Sequence, residues 1–480
     1  MQTAQSARTV RVLGWTIAAA VLVRLVSLGL YPLIDTTEAR YAEIARKMVE
    51  LGDWVTLWYD YGVPFWAKPP LSTWITAASF AQFGVNEFAA RIPHFLGGLL
   101  IGWLIWDWAR PRSDREALIS VALLTGSLAC FVTAGAVTTD ISLAAGTTLA
   151  MRGFWLGLHG SEPQRRREKW VLFIGLSIGL LAKGPIALVL AGLPIVVWAV
   201  ATREIGRAWR ELPWLCGVLI VAALTLPWYL LAELRTPGFL EYFFIGEHWR
   251  RFTVAGWTGD LYGKAHAFPL GSIWLFAIGA CLPWSLLLPL LAIGRAKGLA
   301  DPQAATDRRR RLYLMLWGLT PCAFFTASGN VLWTYVLPGL PALAMLAAAW
   351  LAADIRTRKV ELLVTAGLLI MALGATGLIA GMHWTGQWKT TKSLILEYQA
   401  RKTGGEALVF LGSLPYSASF YSQGKAERVT DVAALAQRLD KEPAFVALAP
   451  GQLRELPPDL RARARGEGQY NGYQLFLFAR

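Results

Sequence analysis

Asp35 and Glu38 stand three residues apart in "IDTTEARYAEIARKM", almost directly after a long apolar run. A carboxylate in such a place can serve as a general base for an attacking hydroxyl or amine. The same Asp-Thr-Thr-Glu spacing suits a capping box, in which Asp35 accepts a backbone N–H and Glu38 reaches back to the start of a helix. On spacing alone the cap is the commoner use. Two further charges stand alone in apolar surroundings. Asp140 in "VTTDISL" has the ordinary role of an N-cap, whereas Lys183 in "LLAKGPIA" is a single cation in an otherwise apolar turn.

The frame that must position these residues is written in the composition. Of 480 residues, 55% are hydrophobic and 16% charged, against roughly 25% charged in a soluble domain. Apolar stretches of about 17 to 25 residues recur, each long enough to cross about 30 Å of hydrocarbon as a helix. Spans are expected near 12–31, 92–109, 117–135, 139–158, 170–182, 185–201, 212–233, 269–294, 312–327, 333–352 and 360–381. Half-spans beside Asp140 or Lys183 could raise that total, so the fold class is polytopic α-helical with about 11 to 13 membrane helices. The first run follows Arg8 and Arg11, is long for a signal-peptide core and lacks a small-residue cleavage site, which reads as an uncleaved span.

The formal net charge of +14 lies mostly in short connections between spans. These carry Arg110, Arg112 and Arg115; Arg165, Arg166, Arg167 and Lys169; Arg203, Arg207 and Arg210; Arg308 to Arg311; and Arg356, Arg358 and Lys359. A nucleic-acid binder needs a basic stripe on a folded face, so no nucleic acid is expected as partner. Basic residues confined to alternate connections mark the cytoplasmic side. The others then face out: 32–91, the turns near Asp140 and Lys183, 234–268, 328–332 and the tail from 382. Cys130, Cys216, Cys281 and Cys322 are isolated in apolar segments, and the five histidines are scattered, so neither a disulfide framework nor a metal site is indicated.

Beyond about 390, "ALVFLGSLPYSASFY", "AFVALAP" and "GYQLFLFA" read as strands and "AALAQRLDKEP" as a helix. The expectation is a small α/β domain over 382–480, docked on a membrane domain of residues 1–381. In the first outer loop, Tyr41, Ile44, Ala45 and Met48 fall at i, i+3, i+4 and i+7, with Glu43 and Lys47 on the opposite side. This predicts an amphipathic helix lying flat on the outer surface, and Pro69-Pro70 can start a second.

The stretch "TTEARYAEIARKM…GDWVT…YGVPFWAKPPLSTWITA…FGVNEFAARIP" resembles the first outer loop of the membrane glycosyltransferases that include lipid A aminoarabinose transferases and, more distantly, protein O-mannosyltransferases. "VTTDISL", "LAKGP", "EHWRRF" and "SGNVLWTYVLPGLPALA" extend the likeness along most of the membrane part. The resemblance implies a GT-C fold in a bacterial inner membrane, with the active site and the C-terminal domain periplasmic. It implies inverting transfer of a sugar from a polyprenyl (undecaprenyl) phosphate to a lipid A, lipopolysaccharide, glycan or protein acceptor. In that reaction Asp35, Glu38 and Asp140 are the candidate catalytic carboxylates. Arg40, Tyr41, Lys68, Lys183, His248, Arg251 and Tyr335 are the candidates for holding the donor phosphate.

Two departures from the family pattern bear on the chemistry. Thr37 stands before Glu38 where relatives commonly carry Asp, so the base is Asp35 or Glu38. Relatives with Glu-Lys in the Lys68 motif would have a carboxylate where this chain has Ala67, which removes one possible metal ligand. Catalysis with neither metal nor cofactor is expected, because Lys and Arg can neutralise a departing monophosphate. A transporter or flippase of lipid-linked sugars is the alternative, but such folds show internal repeats and paired broken helices near the midplane. A non-catalytic scaffold would have no use for motifs clustered in the outer loops.

Overall fold

The computed structural model describes residues 2–263, 265–292, 304–353 and 357–478. Helices α1 (Gln2–Ser27), α2 (Thr37–Leu51), α3 (Leu71–Phe83), α4 (Glu87–Ala109), α5 (Asp114–Thr125), α6 (Leu128–Thr133), α7 (Asp140–His159), α8 (Glu162–Lys183), α9 (Ile186–Ala201), α10 (Ile205–Glu211) and α11 (Trp214–Arg235) follow in order. A π-helical segment, Glu241–Arg250, lies in the long connection after α11, and further helices run at Ser272–Ala280, Trp284–Ala292, Ala304–Phe325, Leu340–Ala352 and Thr357–Thr385.

Among the described residues four helices are long and apolar enough to cross a membrane: α4, α11, Trp333–Ala352 and Arg358–Thr385. Helices occupy the other expected spans too, but with interruptions that the apolar runs concealed. The 117–135 run breaks between α5 and α6 at Gly126 and Ser127, and the 269–294 run breaks around Pro283. Residues 293–294 and Arg356 lie outside the described residues. Basic residues of the connections expected to face inward are paired across helix ends: Arg309 with Glu204 at 2.6 Å, Arg310 with Glu116 at 2.9 Å and Arg165 with Glu211 at 2.5 Å.

The antiparallel pair α7 and α8 sets the geometry of the site. Their backbones meet along glycines, where a Cβ on Gly146 would strike Gly179 and the Gly175 carbonyl, and one on Gly175 would strike the backbone of Gly146 and Ala150. Small residues at such a seam let two helices approach closely. The consequence is that the first residue of α7, Asp140, and the last of α8, Lys183, come together at one end of the pair.

α2 departs from the expected surface helix. Its apolar residues Tyr41, Ile44, Ala45 and Met48 are buried, but so are Glu38, Glu43, Arg46 and Lys47. Arg46 holds Glu43 through bonds of 2.7 and 2.9 Å, and Lys47 donates to the Tyr59 carbonyl at 2.9 Å. The hairpin of β1 (Trp58–Asp60) and β2 (Val63–Pro64) and the C-terminal domain together cover the side that amphipathicity assigns to water.

That domain carries a five-stranded sheet of β3 (Ala407–Leu411), β4 (Glu427–Val429), β5 (Ala444–Leu448), β6 (Ala464–Tyr470) and β7 (Tyr473–Phe478), ordered β4-β3-β5-β7-β6. β4 and β6 have no counterpart in the sequence expectation. β6, "ARGEGQY", is an edge strand with no apolar alternation to reveal it. The expected strand run through "PYSASFY" is a helix instead, Tyr416–Tyr421, because Gly412 turns the chain at φ +83° and Pro415 precedes the new element.

Candidate active site

Asp140 and Lys183 form an ion pair at 2.5 Å, and the Lys183 ammonium lies 4.6 Å from the centre of the Tyr335 ring. Asp140 thus does not act as the N-cap its position suggested: Thr139 holds the cap position, without a side-chain bond. Gly184, at φ +77°, turns the chain out of α8 immediately after the lysine.

A second group comes from the π-helical segment. Glu247 accepts from Lys68 at 2.9 Å and from Arg251 at 3.0 and 3.1 Å, and Arg251 also meets Asp260 at 3.2 Å. Burial works against the Glu247 charge, yet Lys68 and Arg251 overcome it and hold the carboxyl at about 2. Asn330, from "SGNVLWTY", fixes the end of this segment by donating to the carbonyls of Arg251 at 2.7 Å and Val254 at 2.6 Å. π-Helical turns of this kind recur at functional sites because they re-aim side chains.

Two cavities meet at these charges. One, of about 390 Å³, is walled by Leu143, Ile186, Val189, Leu190, Phe252 and Phe324 among other apolar groups. The other, of about 430 Å³, is polar and includes Thr36, Thr37, Arg40, Asp260, His266 and Tyr416. Lys68, Asp140, Lys183, Glu247, Arg251 and Tyr335 line both. An amphiphile with an anionic head has one place to put its charge in such a pair of cavities, namely the junction.

Seven of the ten residues singled out in the sequence line these cavities at the charged end: Arg40, Tyr41, Lys68, Asp140, Lys183, Arg251 and Tyr335. His248 lines the apolar cavity, but its ring nitrogens lie 2.8 Å from the Phe243 carbonyl and 3.2 Å from the Lys183 carbonyl, so it ties the Lys183 turn to the π-helical segment. Burial lowers its pKa, disfavouring a second positive charge beside Lys68.

Asp35 and Glu38 line neither cavity. Glu38 is held by Arg91 at 2.7 and 2.8 Å and accepts the backbone N–H of Ile34 at 3.2 Å and of Val137 at 3.3 Å. Asp35 accepts from the Ser417 N–H at 3.0 Å and from the Ser417 hydroxyl. Burial raises the Asp35 pKa, with the Ser417 bonds pulling the other way. The expected capping box is therefore not formed: the Thr36 cap position has no side-chain bond, and only Glu38 reaches back to backbone ahead of α2.

Residues that the sequence reading missed are Glu247, Asp260, His266 and Tyr416. Glu247 opens the "EHWRRF" motif, beside His248 and Arg251. Among the described residues no three His, Cys, Asp or Glu side chains converge as a metal site.

Comparison with known proteins gives three findings. The model of the dolichyl-phosphate-mannose-protein mannosyltransferase family matches residues 13–243. An undecaprenyl phosphate-alpha-4-amino-4-deoxy-L-arabinose arabinosyl transferase of Pseudomonas fluorescens (strain Pf0-1) is 30% identical over 381 residues, covering 76% of this chain and 62% of that protein. One of Pseudomonas aeruginosa (strain UCBPP-PA14) is 31% identical over 378 residues, covering 74% and 64%. The chain thus spans less than two thirds of the length of these relatives. The crystal structure of ArnT from Cupriavidus metallidurans bound to undecaprenyl phosphate matches at a TM-score of 0.81 and 24% identity, covering 97% of this chain and 98% of that one. The fold is GT-C.

Proposed function

We propose that the chain, with its GT-C fold and its similarity to aminoarabinose transferases and protein mannosyltransferases, is an inverting glycosyltransferase using a polyprenyl-phosphate sugar as donor. The observation that carries this reading is the junction of an apolar and a polar cavity at Lys68, Lys183 and Arg251. The isoprenoid tail lies along the apolar cavity, the phosphate sits among the three cations, and the sugar projects into the polar cavity toward the acceptor. The acceptor is a lipid A, lipopolysaccharide, glycan or protein group, met at the periplasmic face of a bacterial inner membrane.

In the transfer the acceptor oxygen or nitrogen attacks the anomeric carbon as the bond to the phosphate oxygen breaks. The electron pair leaves with the phosphate, whose growing charge Lys68, Lys183 and Arg251 meet in a site with little water. The acceptor proton goes to a carboxylate. We assign that role to Asp140, since Glu247 is held in its charged form by two cations and Asp260 is bound to Arg251 and the Tyr262 N–H. Asp35 and Glu38 have their oxygens occupied by Ser417 and Arg91. Donor binding frees the base: a phosphate that draws Lys183 to itself competes with Asp140 for the same ammonium.

Purified protein supplied with synthetic undecaprenyl-phosphate sugars and membrane-lipid acceptors tests the reading. Release of undecaprenyl phosphate together with a glycosylated acceptor of inverted anomeric configuration supports it. Intact donor crossing a liposome membrane with no sugar transferred would instead make the protein a transporter.

A further inference from the structure

The C-terminal domain touches the polar cavity through one corner of its sheet. β4 and β5 flank β3 on opposite sides and both run parallel to it. The loop after β3 therefore lies at the point where the strand order reverses, the position at which open α/β sheets hold ligands. Here that corner is applied to the membrane domain. Ser417 binds Asp35, and Tyr421 accepts the Leu33 N–H at 2.8 Å while donating to Glu87 at 2.9 Å. Phe420 packs 6.0 Å from Phe80. Tyr416 reaches furthest: it lines the polar cavity, and its hydroxyl is hydrogen-bonded to that of Tyr59.

Arg40 differs from the other cations of the cavity. Lys68, Lys183 and Arg251 each hold a carboxylate, whereas among the described residues none lies within ion-pair distance of Arg40. Its guanidinium instead lies 5.3 Å from the ring of Tyr41, 5.7 Å from Phe65 and 5.8 Å from Tyr416, and donates to the Tyr262 carbonyl. Its Nε is buried without a partner. An arginine held by ring faces and one carbonyl keeps donors for an oxyanion that enters the cavity.

We propose that Tyr416 is a positioning residue for Arg40, so that the C-terminal domain completes the active site by supplying the third ring around that guanidinium. The proposal rests on the glycosyl-transfer reading and names the group it serves, an oxyanion of the bound substrate, on either donor or acceptor. Loss of one such ring weakens the hold on a buried cation by an amount that corresponds to roughly 3- to 30-fold in substrate recognition.

The test is a double-mutant cycle on the full-length protein with Tyr416→Leu, Tyr416→Phe, Arg40→Ala and the combination Tyr416→Leu with Arg40→Ala. Tyr416→Leu replaces the ring face with a smaller aliphatic side chain, and it is expected to raise KM about 10-fold with little change in kcat. Tyr416→Phe keeps the ring face and loses the hydroxyl, which bonds Tyr59 and lies beside the Arg40 guanidinium, and it is expected to retain most of the affinity that Tyr416→Leu loses. The combination is expected to be no worse than Arg40→Ala alone. A rise in the donor KM assigns the oxyanion to the donor phosphate, and a rise in the acceptor KM assigns it to the acceptor. Losses that multiply, or a Tyr416→Leu protein with unchanged KM, overturn the proposal. If the parent protein turns over no polyprenyl-phosphate sugar, the transfer reading fails. The cycle is then read on binding of inorganic phosphate, where coupled losses still support the role of Tyr416 and independent losses still refute it.

Discussion

Glu247 keeps a charge in a place where burial alone would neutralise it, and the reason is Lys68 on one side and Arg251 on the other. Its folded pKa, about 2, lies below the ordinary 4.5, so this pairing contributes stability that is complete above about pH 4.5 and is lost as pH falls toward 2. Glu247→Gln should lower the Tm of the detergent-solubilised protein at neutral pH, and the gap to the parent should close as the pH drops through that window. A gap that stays constant across the window would mean the carboxylate does not carry the effect. Asp140 answers to a different logic. Asp140→Asn removes the proposed base and also the competitor for Lys183, so kcat should fall by about 10² to 10⁴ while donor affinity holds or improves. Parallel kcat and donor-binding measurements check this, and retained turnover would return the base to another carboxylate.

At the scale of elements, the α7–α8 seam is what places a carboxylate against an ammonium. Gly175→Leu drives a side chain into the backbone of Gly146 and Ala150, whereas the same change at Gly192 in α9 meets nothing within 4 Å. The first should cost about 1–3 kcal/mol or more, visible as a lower Tm, and should weaken undecaprenyl phosphate binding because Lys183 moves with its helix. The second should leave both unchanged; equal effects would detach the site from the seam. The ends of these helices were legible as "VTTDISL" and "LAKGP", since a lone charge in an apolar run stands out. The pairing was not, because glycine spacing does not name the helix it faces. α2 was legible as a helix from its period. Its burial was not, since an amphipathic pattern reports two faces but not what later chain covers the polar one.

For the molecule as a whole, the GT-C architecture was readable because its motifs lie in fixed order on alternate connections, each visible within a few residues. The site's outer wall was not, because Tyr416 joins Tyr59 across 357 positions and comes from a domain without an interpretable motif. The C-terminal domain is thereby part of how the membrane domain presents its cavity: it seats α2, occupies Asp35 and borders Arg40. The central claim is that the junction of the two cavities recognises a lipid-borne phosphate. Equilibrium binding of undecaprenyl phosphate against undecaprenol, to the parent protein and to Lys68→Ala and Lys183→Ala, tests it most directly. Undecaprenyl phosphate is expected to bind roughly 10²-fold more tightly than undecaprenol, and each substitution to remove about 10-fold or more of that gain, as charge-assisted hydrogen bonds of about 1.5–3 kcal/mol require. Equal affinity for the two lipids, or a preference untouched by both substitutions, would contradict it.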